Sequence, residues 1–311
     1  MQSAPTHEPS REHPTKQSFA LTPAELSSFE RDGYIGPFPL IEPRLCGPLA
    51  EVLVAKVRSQ PALKMRSRRR RLGAAIHALA RRLFGSPVVG AGPAGAPRYW
   101  YKSAHLLIPE AEELALRSPI VDRMVSILGQ DLLLWGAQIV AKESGENHRW
   151  HEDVEHVAWV GATAWLGLAN VNRESTMKVI PGSHLFGITP QESAARDGGD
   201  LERDGDALRL ARRIAPAARI VELDLRPGEF FIFSGRTWHA SKNSSGRRRI
   251  AMILQFSPSS SRVRVPCSYE LPTQWHPSQP LVMLAAGRDP HRVNHVRDRS
   301  PRSSLDSGGS A

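Results

Sequence analysis

The stretch Trp150-His151-Glu152-Asp153, taken together with Gly235-Arg236-Thr237-Trp238-His239 further along the chain, decides the fold. Side chains alternate along an extended strand, so the His-x-Asp spacing places His151 and Asp153 on one face. A second imidazole, from His239 on a distant strand, completes three ligands on one side of a metal. Two histidines and one carboxylate leave open positions on ferrous iron for a co-substrate and oxygen. The pattern therefore predicts an oxygen-activating iron enzyme.

Composition limits the protein class. The chain has 311 residues, of which 41% are hydrophobic, enough to bury a core. It contains no apolar run of about 18 residues, so we expect no membrane span, and its N-terminus lacks the apolar region of a secretion signal. The two cysteines, Cys46 and Cys267, form no CxxC pair. A reducing, cytoplasmic location is the simplest interpretation.

The net charge of +10 is concentrated in the basic segment 64–82 and near the C-terminus. A basic run can bind nucleic acid, anionic lipid or a phosphorylated substrate. A solvated helix face is the more common explanation, and the aromatic residues of a nucleic-acid platform are absent from this segment. We therefore expect no nucleic-acid partner, and keep a nucleic-acid-associated oxygenase as an alternative.

The order of the predicted elements indicates the fold class. We expect disorder over 1–17 and 298–311, and a single catalytic domain over 18–297. Helices are predicted from Thr22-Pro23 to about Gly33, from Pro43 to about Arg58, over 68–84 and from Ser118 to Gly129, and the charged insertion 188–214 is helical or looped. Strands are predicted over 132–142, 150–154, 156–170, 176–181, 219–224, 229–233, 237–242 and 249–257. Helices followed by many strands favour a mainly β protein with flanking helices around an antiparallel jelly-roll barrel.

Several motifs, in this order, resemble the phytanoyl-CoA dioxygenase-like family of Fe(II)/2-oxoglutarate oxygenases. They are WHED (150–153), IPGSH (180–184), RPGEFFIF (226–233), WHAS (238–241) and RRIAMILQF (248–256). The resemblance covers roughly residues 20–290, more loosely in the N-terminal third. It implies a double-stranded β-helix, which is a cupin-like jelly roll, with Fe(II) bound by His151, Asp153 and His239. It also implies 2-oxoglutarate as co-substrate and O2 as oxidant.

The resemblance further implies a basic residue, after the distal histidine, that holds the far carboxylate of 2-oxoglutarate. A buried carboxylate favours a bidentate guanidinium partner. Alignment back from Phe256 selects Arg249, and alternation puts Arg247 on the same face, so Arg247 stays an alternative. Other candidate co-substrate contacts are Gln138, Trp165, Ser241 and Lys102. Barrel lining is the plainer explanation for Gln138 and Trp165, and an exposed loop charge for Lys102.

The substrate is the least determined feature. Candidate substrate contacts are Glu155, His156, Trp159 and Trp238, although alternation sends some of them outside the barrel. The insertion 188–214 and the loop 143–149 are candidate lids. We expect a small-molecule substrate, natural-product or sugar-containing, in a pathway such as antibiotic biosynthesis. Hydroxylation and oxidative cyclisation both stay open, and the sequence indicates no oligomeric state.

Two alternatives concern the chemistry. Related halogenases carry a small residue in place of the carboxylate ligand, which frees a position for chloride. Asp153 favours oxidation without halogen transfer, and a halogenase-related oxygenase is kept as the alternative. A cupin-like binding protein without catalysis is disfavoured, because the triad and Arg249 are intact.

Overall fold

The computed structural model describes residues 18–59, 99–101, 103–153, 160–264 and 280–297. Its helices are α1 (Pro23–Asp32), α2 (Pro43–Ser59), α3 (Pro109–Ala115), α4 (Ser118–Leu128), α5 (Pro190–Asp197) and α6 (Asp204–Ile214). Its strands are β1 (Tyr34–Pro39), β2 (Tyr99–Tyr101), β3 (Leu132–Lys142), β4 (Asn147–His151), β5 (Ala162–Ala169), β6 (Met177–Val179), β7 (Val221–Glu222), β8 (Glu229–Ser234), β9 (His239–Lys242), β10 (Arg249–Pro258), β11 (Leu281–Ala286) and β12 (His295–Arg297).

Helix α1 shows why the local sequence signals were reliable. The Thr22 hydroxyl accepts from the Glu25 backbone N–H at 3.3 Å, and the Glu25 carboxylate accepts from the Thr22 N–H at 2.8 Å. This capping box satisfies two N–H groups that the helix itself cannot pair. At the other end Gly33 ends the helix with a φ of 77°, a conformation that suits glycine. Both ends agree with the predicted bounds.

The strands form two sheets within the described residues. The larger has eight strands in the order β1-β8-β5-β10-β3-β11-β12, with β2 also paired to β3. The smaller has four strands in the order β4-β9-β6-β7. All pairs are antiparallel except β11 with β12. The predicted mainly β architecture with a large antiparallel sheet is confirmed.

Strict alternation along the central strands gives the large sheet two different faces. On β10, one set of side chains packs against the helices in the main core: Ile250, Met252, Leu254 and Phe256. The other set, at 249, 251, 253 and 255, faces the small sheet, where Ala251 and Ile253 contact the cluster that includes Met177 and Val179. The β10–β3 pairing skips Trp135, and this bulge reverses the alternation of β3 partway along the strand. The face of the large sheet that is turned to the small sheet is its inner face, and it lines the cavity described below.

The segment 188–214 is helical, but it does not lie across that cavity. Helices α5 and α6 pack on the opposite face of the small sheet, where Leu210 and Ala211 join Trp150, Trp238 and Ala240 in a second apolar cluster. The Trp150 N–H is bonded to the Leu201 carbonyl, which ties the insertion to β4. In the described structure this segment supports the strands from behind and does not act as a lid over the cavity.

Other differences from the predicted elements lie at the edges. β1, β2, α3, β11 and β12 were not predicted, and β4 begins and ends about three residues before the predicted 150–154 run. The predicted helix over 68–84 and the predicted disorder of 1–17 and 298–311 lie outside the described residues. Within the described ranges, no helix is both long and apolar enough to cross a membrane.

Candidate metal centre and its cavity

Three potential metal ligands meet where β4 and β9 pair. His151 and His239 are direct partners across these antiparallel strands, and their ring centroids are 4.1 Å apart. Asp153 lies in a turn two residues beyond the end of β4, where its backbone N–H donates to the Gly235 carbonyl at 2.9 Å. The pair 151/153 is therefore not held on one regular strand as predicted, but the turn still brings both side chains together.

The two imidazoles are oriented by the backbone. Nδ1 of His151 lies 2.9 Å from the Arg149 carbonyl oxygen, and Nδ1 of His239 lies 2.8 Å from the Thr237 carbonyl oxygen. Because a carbonyl oxygen can only accept, each Nδ1 carries a hydrogen. Burial, and secondarily the nearby His239, lower the pKa of His151 to about 3, so this ring is neutral and its Nε2 offers a lone pair.

These Nε2 atoms face the Asp153 carboxylate. Oδ1 of Asp153 is 3.7 Å from Nε2 of His151 and 3.5 Å from Nε2 of His239, and the ligand atoms of all three residues lie within 4.8 Å of one another. Burial opposes ionisation of Asp153, but His239, His151 and the Thr163 hydroxyl hold its pKa below the ordinary value. Two Nε2 atoms and a carboxylate oxygen that converge on one point suit a cation, and this donor set fits ferrous iron.

The triad opens into a pocket between the two sheets. Polar side chains from both sheets line it, namely Gln138, Lys142, His148, Ser241 and Arg249. Apolar side chains, namely Val140, Trp165, Met177, Phe233 and Ile253, complete the wall. The cavity therefore combines a metal-binding end with a cationic region enclosed by apolar walls.

Arg249 is the most unusual residue in this wall. It is 1% exposed, and its Nε and Nη1 have no hydrogen-bond partner within the described part of the chain. Its Cζ lies 5.0 Å from the centre of the Trp165 ring. Burial lowers the pKa of Arg249 to about 10, partly offset by the charge of Glu146, so the guanidinium stays charged near neutral pH. A buried cation with unused donors facing a cavity is suited to a carboxylate ligand. The alternative, Arg247, is exposed.

Lys142 is a second buried cation that the sequence analysis missed. It is the direct partner of Arg249 across the β10–β3 pairing. Its Nζ donates to the Ser241 hydroxyl at 2.7 Å and to the Ser241 carbonyl at 3.1 Å. The Ser241 hydroxyl accepts this bond and so keeps its own hydrogen to donate. Lys142 was detectable, because it lies four positions after Gln138 on a strand and therefore on the same face.

The remaining predicted site residues divide into three groups. Gln138, Trp165 and Ser241 line the cavity. Trp238 does not: it is fully buried behind the small sheet, and its Nε1 donates to the Ile188 carbonyl at 3.1 Å. It points away because it is next to His239, and neighbouring strand residues face opposite sides. The other candidates lie outside the described residues, namely Lys102, Glu155, His156 and Trp159.

Comparison with known proteins gives a family and a fold. The sequence model described as phytanoyl-CoA dioxygenase (PhyH) matches residues 29–251. No curated protein sequence matches the chain.

Three of the solved structures that are similar to the chain are CytC3, EctD and SnoK. "CytC3 with Fe(II) and alpha-ketoglutarate" is 22% identical over 90% of this chain and 94% of that one, with a TM-score of 0.56. EctD from S. alaskensis, in its apoform, is 20% identical over 91% and 89%, with a TM-score of 0.57. SnoK, titled a non-heme alpha-ketoglutarate-dependent carbocyclase from nogalamycin biosynthesis, is 20% identical over 84% and 93%, with a TM-score of 0.52. At these identities the likeness concerns the fold.

Proposed function

Because the chain belongs to the phytanoyl-CoA dioxygenase family, it is an Fe(II)/2-oxoglutarate-dependent oxygenase, and we propose that His151, Asp153 and His239 hold its iron. The observation that carries the assignment is the convergence of the two Nε2 atoms and Oδ1 of Asp153 on one point. When bound there, iron and 2-oxoglutarate activate O2 for oxidation of a C–H bond, with succinate and CO2 as coproducts.

We assign the far carboxylate of 2-oxoglutarate to the cationic part of the cavity. The unpaired N–H groups of Arg249 supply charge-assisted donors, and Lys142 and the Ser241 hydroxyl lie on the same cavity wall. Trp165 contributes an aromatic face beneath the guanidinium, which restricts its orientation. The co-substrate anion offsets the buried positive charge of Arg249, which is costly in its absence.

The apolar wall has a separate role. Val140, Met177, Phe233 and Ile253 exclude water from the space next to the ligands. A dry cavity strengthens the electrostatic interactions inside it and limits side reactions of an activated oxidant. The protein thus contributes positioning, charge and exclusion of water, whereas the cofactors supply the oxidising power.

We further propose that residues 18–297 form one catalytic domain whose two sheets are a double-stranded β-helix. The antiparallel pairing and the location of the ligands between the sheets support this. The substrate in this proposal is a small natural product or sugar-containing molecule, in keeping with the nogalamycin pathway named for SnoK. The presence of Asp153 in the ligand set favours hydroxylation or cyclisation without halogen transfer.

The assignment is tested with His151→Ala and Asp153→Ala. Each variant is expected to lose the iron-dependent conversion of 2-oxoglutarate to succinate, measured without substrate, and to lose Co(II) binding measured by visible absorption. His295→Ala, a change at an exposed histidine, is the matched control and should retain both. Succinate formation at the wild-type rate in either ligand variant would contradict the proposed centre.

A further inference from the structure

The two oxygens of the Asp153 carboxylate have different surroundings. Oδ1 faces both imidazoles, at 3.5 and 3.7 Å. Oδ2 is bonded to the protein: it accepts from the Thr163 hydroxyl at 2.6 Å and from Nε2 of Gln255 at 3.3 Å. The Asp153 carboxylate, which lies beyond the end of β4, is thus held by side chains of other strands.

Both of those groups belong to the large sheet. Thr163 on β5 and Gln255 on β10 are direct partners, so their side chains lie next to each other on the inner face. They are 1% and 3% exposed. The ligand histidines come from the small sheet, and the third ligand is therefore fixed from the opposite side of the cavity.

Gln138 holds Gln255 from its other side. Its Nε2 donates to Oε1 of Gln255 at 2.6 Å. A carboxylate only accepts, so Gln255 must turn its NH2 group to Asp153 and its oxygen to Gln138. The residue directly opposite Gln255 on β3 is Gly136, which has no side chain, and Gln138 reaches across from the next position on that face. The order of donation, Gln138 to Gln255 to Asp153, is fixed by this chemistry.

We propose that Thr163 and Gln255, the latter held by a hydrogen bond from Gln138, are positioning residues that reserve one oxygen of Asp153 for the metal. This inference rests on the proposed function, since it assigns Asp153 as a ligand. With Oδ2 occupied by two donors, the carboxylate cannot rotate freely or turn both oxygens to the metal. Partners that orient ligands in this way typically change metal affinity about 10- to 100-fold when removed.

The test measures metal affinity, not turnover. Thr163→Val keeps the shape of the side chain and removes the hydroxyl, and Thr163→Ser keeps the hydroxyl. Co(II) titration of the metal-free protein, followed by visible absorption, should give a dissociation constant raised about 10- to 100-fold for Thr163→Val, with an altered spectrum. Thr163→Ser should bind within a few-fold of wild type. Thr163→Ala, which places no methyl group against the carboxylate, replaces Thr163→Val if circular dichroism shows that the latter does not fold.

A second arm tests the route through Gln255. Gln255→Leu should weaken Co(II) binding, and Gln138→Leu should weaken it less, because Gln138 acts on the ligand only through Gln255. In the double variant the losses should not add, since the first change already breaks the chain. Additive losses would show that Gln138 acts independently and overturn its place in the chain.

The outcomes separate this inference from the proposed function. If Asp153→Ala loses Co(II) but the dissociation constants of Thr163→Val and Gln255→Leu equal that of wild type, the positioning role is wrong and the metal centre stands. If Asp153→Ala itself binds Co(II) as wild type does, the proposed centre is wrong.

Discussion

Arg249 is a residue whose surroundings make sense only with a ligand beside it. A guanidinium that is 1% exposed, with two N–H-bearing nitrogens unpaired within the described residues, is energetically unfavourable in the free protein. Proteins tolerate such strain at binding sites, where the ligand supplies the missing partner. The same residue should therefore reduce the stability of the free protein and increase its affinity for 2-oxoglutarate.

Arg249→Met tests both effects, because methionine keeps much of the apolar stem and removes the charge. We expect the KM for 2-oxoglutarate in succinate formation to rise about 10- to 100-fold, since a hydrogen bond to a charged group contributes ~1.5–3 kcal/mol. The melting temperature of the ligand-free protein should stay the same or rise. Arg247→Met, at the exposed alternative position, is the control and should change neither quantity. An effect confined to Arg247→Met would reverse the assignment.

His105 gives a prediction about pH. Its Nδ1 accepts from the Ala137 N–H at 3.2 Å, and burial, followed by the charge of Arg297, lowers the pKa of His105 to about 3. The unfolded chain takes up this proton near the ordinary value of about 6.5. Between these two values the unfolded state binds more protons, so stability falls as the pH falls through that window.

The expected contribution of His105 is a slope of up to about 1.4 kcal/mol per pH unit. His105→Asn keeps an acceptor for the Ala137 N–H and does not titrate, so its free energy of unfolding should depend less on pH by this amount. Urea unfolding of the metal-free protein between pH 7 and 4.5 measures the slope. His295→Asn, at an exposed position, should keep the wild-type slope, and an unchanged slope in His105→Asn would exclude the buried neutral ring as a source.

At the scale of elements, β4 is held on two sides. Its His151 pairs with His239 of β9, and its Trp150 packs on the other face against the cluster that includes α6. Asp204, the first residue of α6, accepts from Nε1 of Trp150 at 3.1 Å and from Nζ of Lys178 on β6 at 2.6 Å. An acidic residue at a helix N-terminus also interacts favourably with the helix dipole. One carboxylate thus links the insertion to two strands of the small sheet.

Asp204→Ala should lower the free energy of unfolding by about 1–3 kcal/mol, because it leaves the indole Nε1–H of Trp150 without its acceptor. Asp204→Asn should lower it less, since the amide oxygen still accepts from Trp150 and only the charge is lost. Urea unfolding compares the two variants. Equal losses of unfolding free energy in both variants would indicate that the charge of Asp204, and not its hydrogen bond with Trp150, stabilises the protein.

The strands that carry the site could be predicted from sequence, whereas their pairing could not. The family resemblance selected Gln138, Trp165 and Arg249, and all three line the cavity. Steps of two along the same strands also reach Lys142, Thr163 and Gln255, but nothing local says which inner positions meet the carboxylate of Asp153. That depends on β5 and β10 being neighbours, which is a property of the whole sheet. Weak edge strands such as β1, interrupted by Gly36 and Pro37, were missed because their pattern is not periodic.

At the scale of the whole molecule, the metal is expected to act as part of the fold. The triad connects β4 with β9 and, through Thr163 and Gln255, connects the small sheet with the large one. A ligand that binds only the folded state stabilises it by ~2.7 kcal/mol at a concentration one hundred times its Kd. For a chain of this size the melting temperature should rise by roughly 4 °C.

Thermal unfolding with and without Co(II) and 2-oxoglutarate measures this linkage under anaerobic conditions. Wild type should show the rise and Asp153→Ala should not. Arg249→Met should respond to Co(II) alone but lose the further increment from 2-oxoglutarate. A melting temperature of wild type that does not depend on either ligand would contradict the link between the centre and the fold.

The facing register of His151 and His239 makes the presence of the centre an all-or-none property. Sliding either strand by one residue turns a ring to the far side of the sheet, so strand slippage offers no intermediate geometry. Substitutions of Thr163 and Gln255 can instead change the metal affinity gradually, because both residues approach from the large sheet and can be replaced without moving β4 or β9. To change the metal affinity of the centre, Thr163 and Gln255 should be varied and the paired strands β4 and β9 left unchanged.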